Sequence, residues 1–310
     1  MQSKQFVDAV VANSEGVGYP AINPGELGAF PIWFPRESEQ REIVAYISRE
    51  TTRIDALIEK KEHLITLLEE KRAALINRAV TKGLDPNAPM KDSGVDWLGE
   101  IPAHWEVKKL LHLTSADRPV MYGIVLPGPN VQDGVPIVKG GDVAPGRLRL
   151  AQLNRTTYEI ESEYVRSRLK AGDVVYAIRG SIGSAELVPA ELHGANLTQD
   201  AARISPRLDI DGHWLLYTLK AECAFGQVDA SAMGATILGV NIRDLKRISL
   251  PIPPRAEALQ IASHLNRSIS NLNEIVSKIR DQIAKFHEYR TALISAAVTG
   301  KIDVRVSTQA

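Results

Sequence analysis

Apolar residues recur every seven positions along two long stretches of this chain. In the first, Ile47, Ile54, Leu68 and Leu75 keep that spacing, with Lys61 at the intervening place. Leu57, Ile58, Leu64 and Ile65 widen the stripe on the same side. In the second, Leu265, Leu272, Ile279, Phe286 and Leu293 keep it unbroken, supported by Ile269, Ile275, Val276 and Ile283. A seven-residue apolar repeat held over several heptads marks a coiled coil. The spacing predicts a first helix that begins after Pro35 with Ser38 as its N-cap, runs to about Val80, and stops at Gly83 and Pro86. About 42 residues at a rise of ~1.5 Å make a rod of about 63 Å. The remaining faces alternate in sign, as in Glu59-Lys60-Lys61-Glu62, which is the pattern of a solvated helix face. Neither stripe is stable in water alone. An antiparallel pair within one chain buries both, and so does pairing between two chains; the sequence leaves both open.

The two stretches are copies. Residues 34–85 overlie residues 252–303 without a gap, at a constant offset of 218. Arg72, Ala74, Leu75, Ile76, Ala79, Val80 and Thr81 meet the same residue types at Arg290, Ala292, Leu293, Ile294, Ala297, Val298 and Thr299. The register extends upstream to Asn23/Asn241 and Leu27/Leu245. Like helices bracketing one unlike segment suggest a spacer that positions a reading head.

Between the copies the period changes. A loop rich in Gly, Pro and Asp covers Lys82 to Gly99. Short β-branched runs follow at 135–138, 173–178 and 201–204, and one amphipathic helix is predicted over roughly Gly212 to Ala224. The fold class expected is α+β: one mixed α/β domain with a twisted, mostly antiparallel sheet, flanked by two long coiled-coil helices. The lobe is placed at about 100–235.

Composition narrows the function. The 310 residues carry 37 Lys plus Arg against 37 Asp plus Glu, so nucleic-acid binding must come from local patches rather than from the overall field. The single cysteine, Cys223, fits a reducing compartment, and no apolar run approaches the ~20 residues of a membrane helix. With no apolar signal stretch after Met1, a cytoplasmic protein without membrane association is expected. Motifs for chemistry are missing: there is no phosphate-binding Gly-x-x-x-x-Gly-Lys-Ser/Thr string and no Asn/Asp-Pro-Pro-Tyr/Phe string of the kind used for base methylation. His104 and His112 lack partners at metal-ligand spacing. No cofactor, no metal and no catalytic residue is therefore expected. Glu106-Val107-Lys108 with Asp96 has the letters of a nuclease core, but the stretch is charged and reads as a salt-bridged surface.

What remains is basic and polar texture near strand ends. Residues 147–179 hold seven Lys and Arg against four acids. Arginine can bond bidentately to guanine and Asn or Gln to adenine, whereas Lys and other Arg neutralise phosphates. The candidate DNA-contacting residues are Arg147, Arg149 and Arg179 for bases or phosphates, Asn196 and Gln199 for base edges, Lys139 and Arg155 for phosphates, and Ser181 beside them. Gly180-Ser181-Ile182-Gly183 could cradle a phosphate, although a tight strand turn explains the same spacing.

Asp92-Ser93-Gly94-Val95-Asp96-Trp97-Leu98-Gly99-Glu100-Ile101-Pro102-Ala103-His104-Trp105-Glu106-Val107 resembles the linker that opens a target recognition domain in specificity subunits of type I restriction–modification enzymes. The segments Pro35–Asp85 and Pro254–Asp303 resemble that family's two central helices. Gly140-Gly141-Asp142-Val143 and Gly172-Asp173-Val174 are similar to turns in its recognition domains. The resemblance implies a non-catalytic subunit that reads double-stranded DNA, sets the unread gap of a bipartite target by helix length, and docks methyltransferase (modification) subunits. A separate ATP-dependent restriction subunit is an indirect partner. The family order is domain, helix, domain, helix. On that pattern residues 1–33 are the remnant or tail of a first recognition domain and 34–85 the first helix. Residues 86–235 are then the linker and recognition domain, 236–303 the lead-in and second helix, and 304–310 a tail. A single recognition domain also fits half of a symmetric homodimer. Two rival expectations stand beside this: a coiled-coil adaptor that binds only protein, and a metal-dependent nuclease built on Glu106 and Lys108.

Overall fold

A computed structural model describes residues 4–14, 21–31, 35–232 and 239–305. The expected boundaries at 33/34 and 235/236, and residues 306–310 of the tail, lie outside them. The helices are α1 (Lys4–Ala12), α2 (Pro24–Gly28), α3 (Glu37–Lys82), α4 (Tyr158–Ser162), α5 (Gly212–Lys220), α6 (Glu222–Ala232), α7 (Ile242–Leu245) and α8 (Arg255–Val298). The strands are β1 (Met90–Asp92), β2 (Glu100–Pro102), β3 (Glu106–Lys109), β4 (Met121–Tyr122), β5 (Val135–Val138), β6 (Asn154–Thr156), β7 (Val174–Ala177), β8 (Ala185–Leu187), β9 (Asn196–Leu197), β10 (Ala201–Ile204) and β11 (Ser249–Ile252). The α+β class holds. The chain divides into two units, 1–70 with 271–310, and 71–270.

The first unit is built on an antiparallel helix pair within the chain. Its pairs run in opposite order on the two helices: Asp55 with Arg290 (3.3 Å), Lys61 with Gln282 (2.6 Å) and Glu69 with Arg280 (3.5 Å). Shielded positions alternate three and four apart: Ile54, Ile58, Lys61, Ile65 and Leu68 on α3, and Leu272, Val276, Ile279, Ile283, Phe286, Arg290 and Leu293 on α8. This is a heptad seam. Lys61, the polar break in the apolar repeat, places its ammonium 5.8 Å from the centre of the Phe286 ring and donates to Gln282, so its charge is met inside the seam. Ile43, Ala297 and Val304 close the pair, with Ile47 packed against them. Leu57 and Leu64, expected to widen the seam, are instead 38% and 44% exposed. The shielded neighbours are Ile58 and Ile65, because the alternating four- and three-residue steps from Ile54 land on Ile58, Lys61 and Ile65, with Leu57 and Leu64 one residue short.

The second unit is layered. Its four-stranded antiparallel sheet has the order β4-β10-β7-β8, and a three-stranded sheet has the order β6-β5-β9 with β5 and β9 parallel. Along β7 and the residue that follows it, Val174, Tyr176 and Ile178 face one core, and Val175 and Ala177 face another. The period-2 alternation thus buries both faces of this strand. The larger core adds Trp214, Leu215 and Leu219 of α5, Ile76 and Val80 of α3, and Ile261 and Leu265 of α8. The smaller adds Val138, Leu148, Leu153, Leu169 and Leu197. Leu75, on α3 in this unit, is half-buried.

Two local expectations are corrected. The first helix starts at Glu37, so Ser38 lies inside its first turn rather than capping it; Gln40 N–H already donates to the Arg36 carbonyl at 2.9 Å. The helix expected over Gly212 to Ala224 is two helices. Ala221 has an extended backbone (φ −75°, ψ 153°) and breaks the ladder between α5 and α6. Strand pairing is mostly antiparallel, as expected, with β5–β9 the parallel pair among the described strands. The internal repeat extends to the caps: Asn23 Oδ1 accepts from Gly25 N–H at 3.0 Å to start α2, and Asn241 Oδ1 accepts from Arg243 N–H at 2.8 Å to start α7.

The linker is clamped to α8. Trp105 Nε1 donates to Glu257 Oε2 at 3.0 Å, and His104 Nε2 lies 2.8 Å from the same oxygen. Gly83 ends α3 at φ +74°, where an added Cβ would lie 3.1 Å from Glu257 Oε1. The left-handed backbone favours glycine there.

Candidate nucleic-acid interface

Strand direction decides which loops meet. β4 and β7 both run antiparallel to β10, and β9 runs parallel to β5, so the segments that follow β4, β5, β7 and β9 leave at one end of the sheets. The backbone pins them together. Ile178 and Arg179 N–H donate to the Asp200 carbonyl at 2.9 and 3.2 Å, Thr198 N–H donates to the Val138 carbonyl at 2.9 Å, and Gln199 N–H donates to the Ile124 carbonyl at 2.9 Å. Gly140 is tight enough that a Cβ would lie 2.9 Å from the Arg179 carbonyl oxygen.

Lys139, Arg179, Ser181 and Gln199 therefore share one end of the second unit. Arg147 joins them by donating to the Gly141 carbonyl at 3.2 Å. Arg149, also exposed, lies two residues on. Arg179 pairs with Gly239 in an isolated bridge that fixes its backbone. Gly180 (φ +70°) and Gly183 (φ +90°) turn the chain from β7 to β8, and the Ala177 carbonyl accepts from Gly183 N–H at 3.2 Å. The Gly-rich segment is thus a hairpin turn. Among the described residues, the side chains of Lys139, Arg149, Arg179, Ser181 and Gln199 have no hydrogen-bond or ion-pair partner.

Two candidates fall elsewhere. Arg155 pairs with Pro136 on β5, and its guanidinium donates to the Gly134 carbonyl at 2.8 Å, before β5 rather than after it. Asn196 is fully buried: its amide donates to Glu161 Oε1 and the Tyr164 carbonyl, both at 3.0 Å, and its Oδ1 accepts from Ser167 Oγ at 2.7 Å. Each amide group already has a partner inside the protein, so the expectation that Asn196 reads a base edge is corrected.

Asn196 belongs to a charged network that fixes the segment 157–170. Arg168 forks onto Glu161 at 2.6 and 2.5 Å, and Arg118 forks onto Asp173 at 2.7 Å twice. The Arg168 guanidinium holds the Glu161 carboxyl below the usual carboxylate range. Arg203, 2% exposed, donates to the carbonyls of Arg166, Arg168 and Pro119. Burial brings its pKa down to about 10, Arg118 adds to that, and Asp173 opposes it. Sequence reading missed Arg203; an arginine in the apolar run Ala201-Ala202-Arg203-Ile204 was the available signal.

Glu106 and Lys108 pair with each other at 2.6 Å on the rim of β3. Among the described residues no group of three or more His, Cys, Asp or Glu is placed to hold a metal ion. No described helix is long and apolar enough to cross a membrane.

Residues 131–285 match the family model for the type I restriction modification DNA specificity domain, which is half of the chain. The chain belongs to the type I restriction–modification specificity family. It is 24% identical over 302 residues to the EcoBI specificity subunit of Escherichia coli, covering 96% of this chain and 64% of that one. It is 25% identical over 299 residues to the putative MjaX specificity subunit of Methanocaldococcus jannaschii, covering 93% and 63%. The chain thus spans somewhat less than two thirds of these relatives. A chain from a type I R-M system, solved in a study of complex assembly and conformational transition, superposes with a TM-score of 0.70 at 18% identity over 96% of this chain and 68% of its own. The HsdS subunit of Thermoanaerobacter tengcongensis gives 0.54 at 18% identity over 97% and 68%. The fold is that of the specificity family.

Proposed function

We propose that this chain is a non-catalytic, DNA sequence-reading subunit of a type I restriction–modification complex, and that its helix pair docks methyltransferase subunits. Adenine methylation belongs to those partners and cleavage to an ATP-dependent restriction subunit. The observation that carries the DNA-reading part is the convergence of Lys139, Arg147, Arg179, Ser181 and Gln199 on one strand-end surface, with most of their polar groups unspent inside the fold. Cations there can neutralise phosphates while an arginine fork or a glutamine amide reaches a base edge. The surface reads one part of a bipartite target.

The two flanks of the helix pair support docking. One flank is charged, with Asp55, Glu69 and Arg280. The other carries Leu57 and Leu64 on α3 and Ile275 and Tyr289 on α8, each directly before a seam residue and between 38% and 58% exposed. In an antiparallel pair such positions share a flank, so they form an apolar strip along the rods. Apolar strips of this kind mark interaction sites. Replacing Leu57, Leu64 and Tyr289 together by serine is expected to abolish co-purification with the methyltransferase subunit while the chain stays folded, its helical melting transition falling by about 10 °C at most, since none of the three lies in the seam. Co-purification at the parental level would remove the strip from the proposal. Mapping methylated adenines after co-expression with that subunit tests the whole proposal.

A further inference from the structure

We propose that Val125 and Leu126 form a rigid apolar finger that contacts thymine methyl groups in the major groove, next to an adenine read by Gln199. This rests on the DNA-reading assignment above. Leu126 is 80% exposed and Val125 39%, yet the backbone on both sides of them is fixed. On one side Gly123 is pressed so closely on β9 that a Cβ would lie 1.8 Å from the Leu197 carbonyl oxygen. Ile124 is fully buried, donates to the Leu197 carbonyl at 2.7 Å and accepts from Gln199 N–H at 2.9 Å. On the other side the Pro127 carbonyl accepts from the buried Thr156 hydroxyl at 2.7 Å. Pro127 itself confines Leu126 to extended conformations. Little ordering entropy is left for a ligand to remove.

The neighbours specify the ligand. Gln199 is hydrogen-bonded to the root of the finger, and Lys139 follows Val138, whose carbonyl is bonded to Thr198. An A·T pair shows the major groove an acceptor and a donor on adenine, which a glutamine amide matches, and a methyl group on thymine, which needs an apolar contact. A G·C pair offers no methyl group, so the same surface discriminates against it. The cations around the finger hold the phosphates that bring its tip to the base edges.

The test uses the assembled complex and its own target duplex, with each thymine replaced in turn by deoxyuridine, which lacks only the methyl group. At one or two positions replacement is expected to weaken wild-type binding about three- to fivefold, the worth of one buried methyl group. Leu126→Ala should bind the parent duplex more weakly by a similar factor and be indifferent to deoxyuridine at that position. Its melting temperature serves as the folding control, and the exposed position predicts no change. Selective wild-type binding that is insensitive to deoxyuridine everywhere would overturn the finger alone. Equal sensitivity in wild type and Leu126→Ala would do the same. Binding without any sequence preference would instead overturn the DNA-reading assignment on which it rests.

Discussion

Arg203→Ala is expected to cost about 3–5 kcal/mol of folding stability, from buried carbonyls left unsatisfied at about 1–3 kcal/mol each together with the cavity the side chain leaves. The guanidinium donates to the carbonyls of Arg166, Arg168 and Pro119 from a side chain buried on the smaller core's side of β10. Alanine leaves the Arg166 and Pro119 carbonyls without this donor, while the Arg168 carbonyl keeps the Arg118 guanidinium at 2.9 Å, and it leaves a cavity where the stem had packed. It also removes the positive neighbour of Asp173, although Arg118 still pairs with that carboxylate. Burial carries its own cost, because it lowers the Arg203 pKa from the usual arginine range to about 10. The charged form is therefore disfavoured on folding. That penalty is complete at neutral pH and fades as pH rises from about 10 towards the ordinary arginine pKa. Three carbonyl bonds offset it. Arg203→Met, which restores the apolar stem and not the donors, should recover part of the loss and no more. Urea unfolding reads both variants; a loss below about 1 kcal/mol for alanine would show that the network does not hold the segment 157–170 to the sheet.

The second large effect concerns binding. Changing Arg147, Arg149 and Arg179 together to alanine should weaken the assembled complex for its target by at least about 100-fold at moderate salt, on the order of 1 kcal/mol or more for each arginine. The salt series separates the roles. Removing one phosphate clamp flattens the log–log slope by about 0.9, so a triple variant whose slope falls by nearly three has given up three such clamps. If Arg179 is a base reader, Arg179→Ala alone relaxes the sequence preference and changes the slope little. Arg155→Ala should have a smaller effect, because its guanidinium is tied to Gly134 before β5. Unchanged affinity in the triple variant would show that the strand-end surface is not where DNA lies.

The long helices were the most legible part of the sequence, since a seven-residue period survives local noise and both copies carry it. What the period could not decide was the pairing, because the same stripes suit one chain or two. In the structure the stripes meet within the chain, and polar pairs such as Glu69–Arg280, which lie outside the apolar pattern, join the two helices. Strands β5, β7 and β10 were legible from their β-branched and small apolar runs. The break at Ala221 was not, because alanine is a good helix former and only packing of Leu219 and Ala224 into the core turns the chain there. In the candidate site, Lys139, Arg147, Arg179, Ser181 and Gln199 could be picked out by residue type near strand ends. Asn196 has the same type and place, but strand alternation turns it inward, and a β9 of two residues gives too little pattern to reveal that. Leu126 went unnoticed for the opposite reason. An apolar run before Pro127-Gly128-Pro129 resembles a core strand, and only its anchors at Ile124 and Thr156 show that its tip stands in solvent.

The most direct measurement is the pattern of methylated adenines in genomic DNA after co-expression of this chain with its methyltransferase partner, set beside the same experiment with Arg179→Ala and Gln199→Ala. A sequence-reading subunit predicts methylation confined to one discrete motif for the wild-type chain, and a motif that loses definition at particular positions in the variants. Methylation with no preferred sequence, or a motif identical in all three, would contradict it.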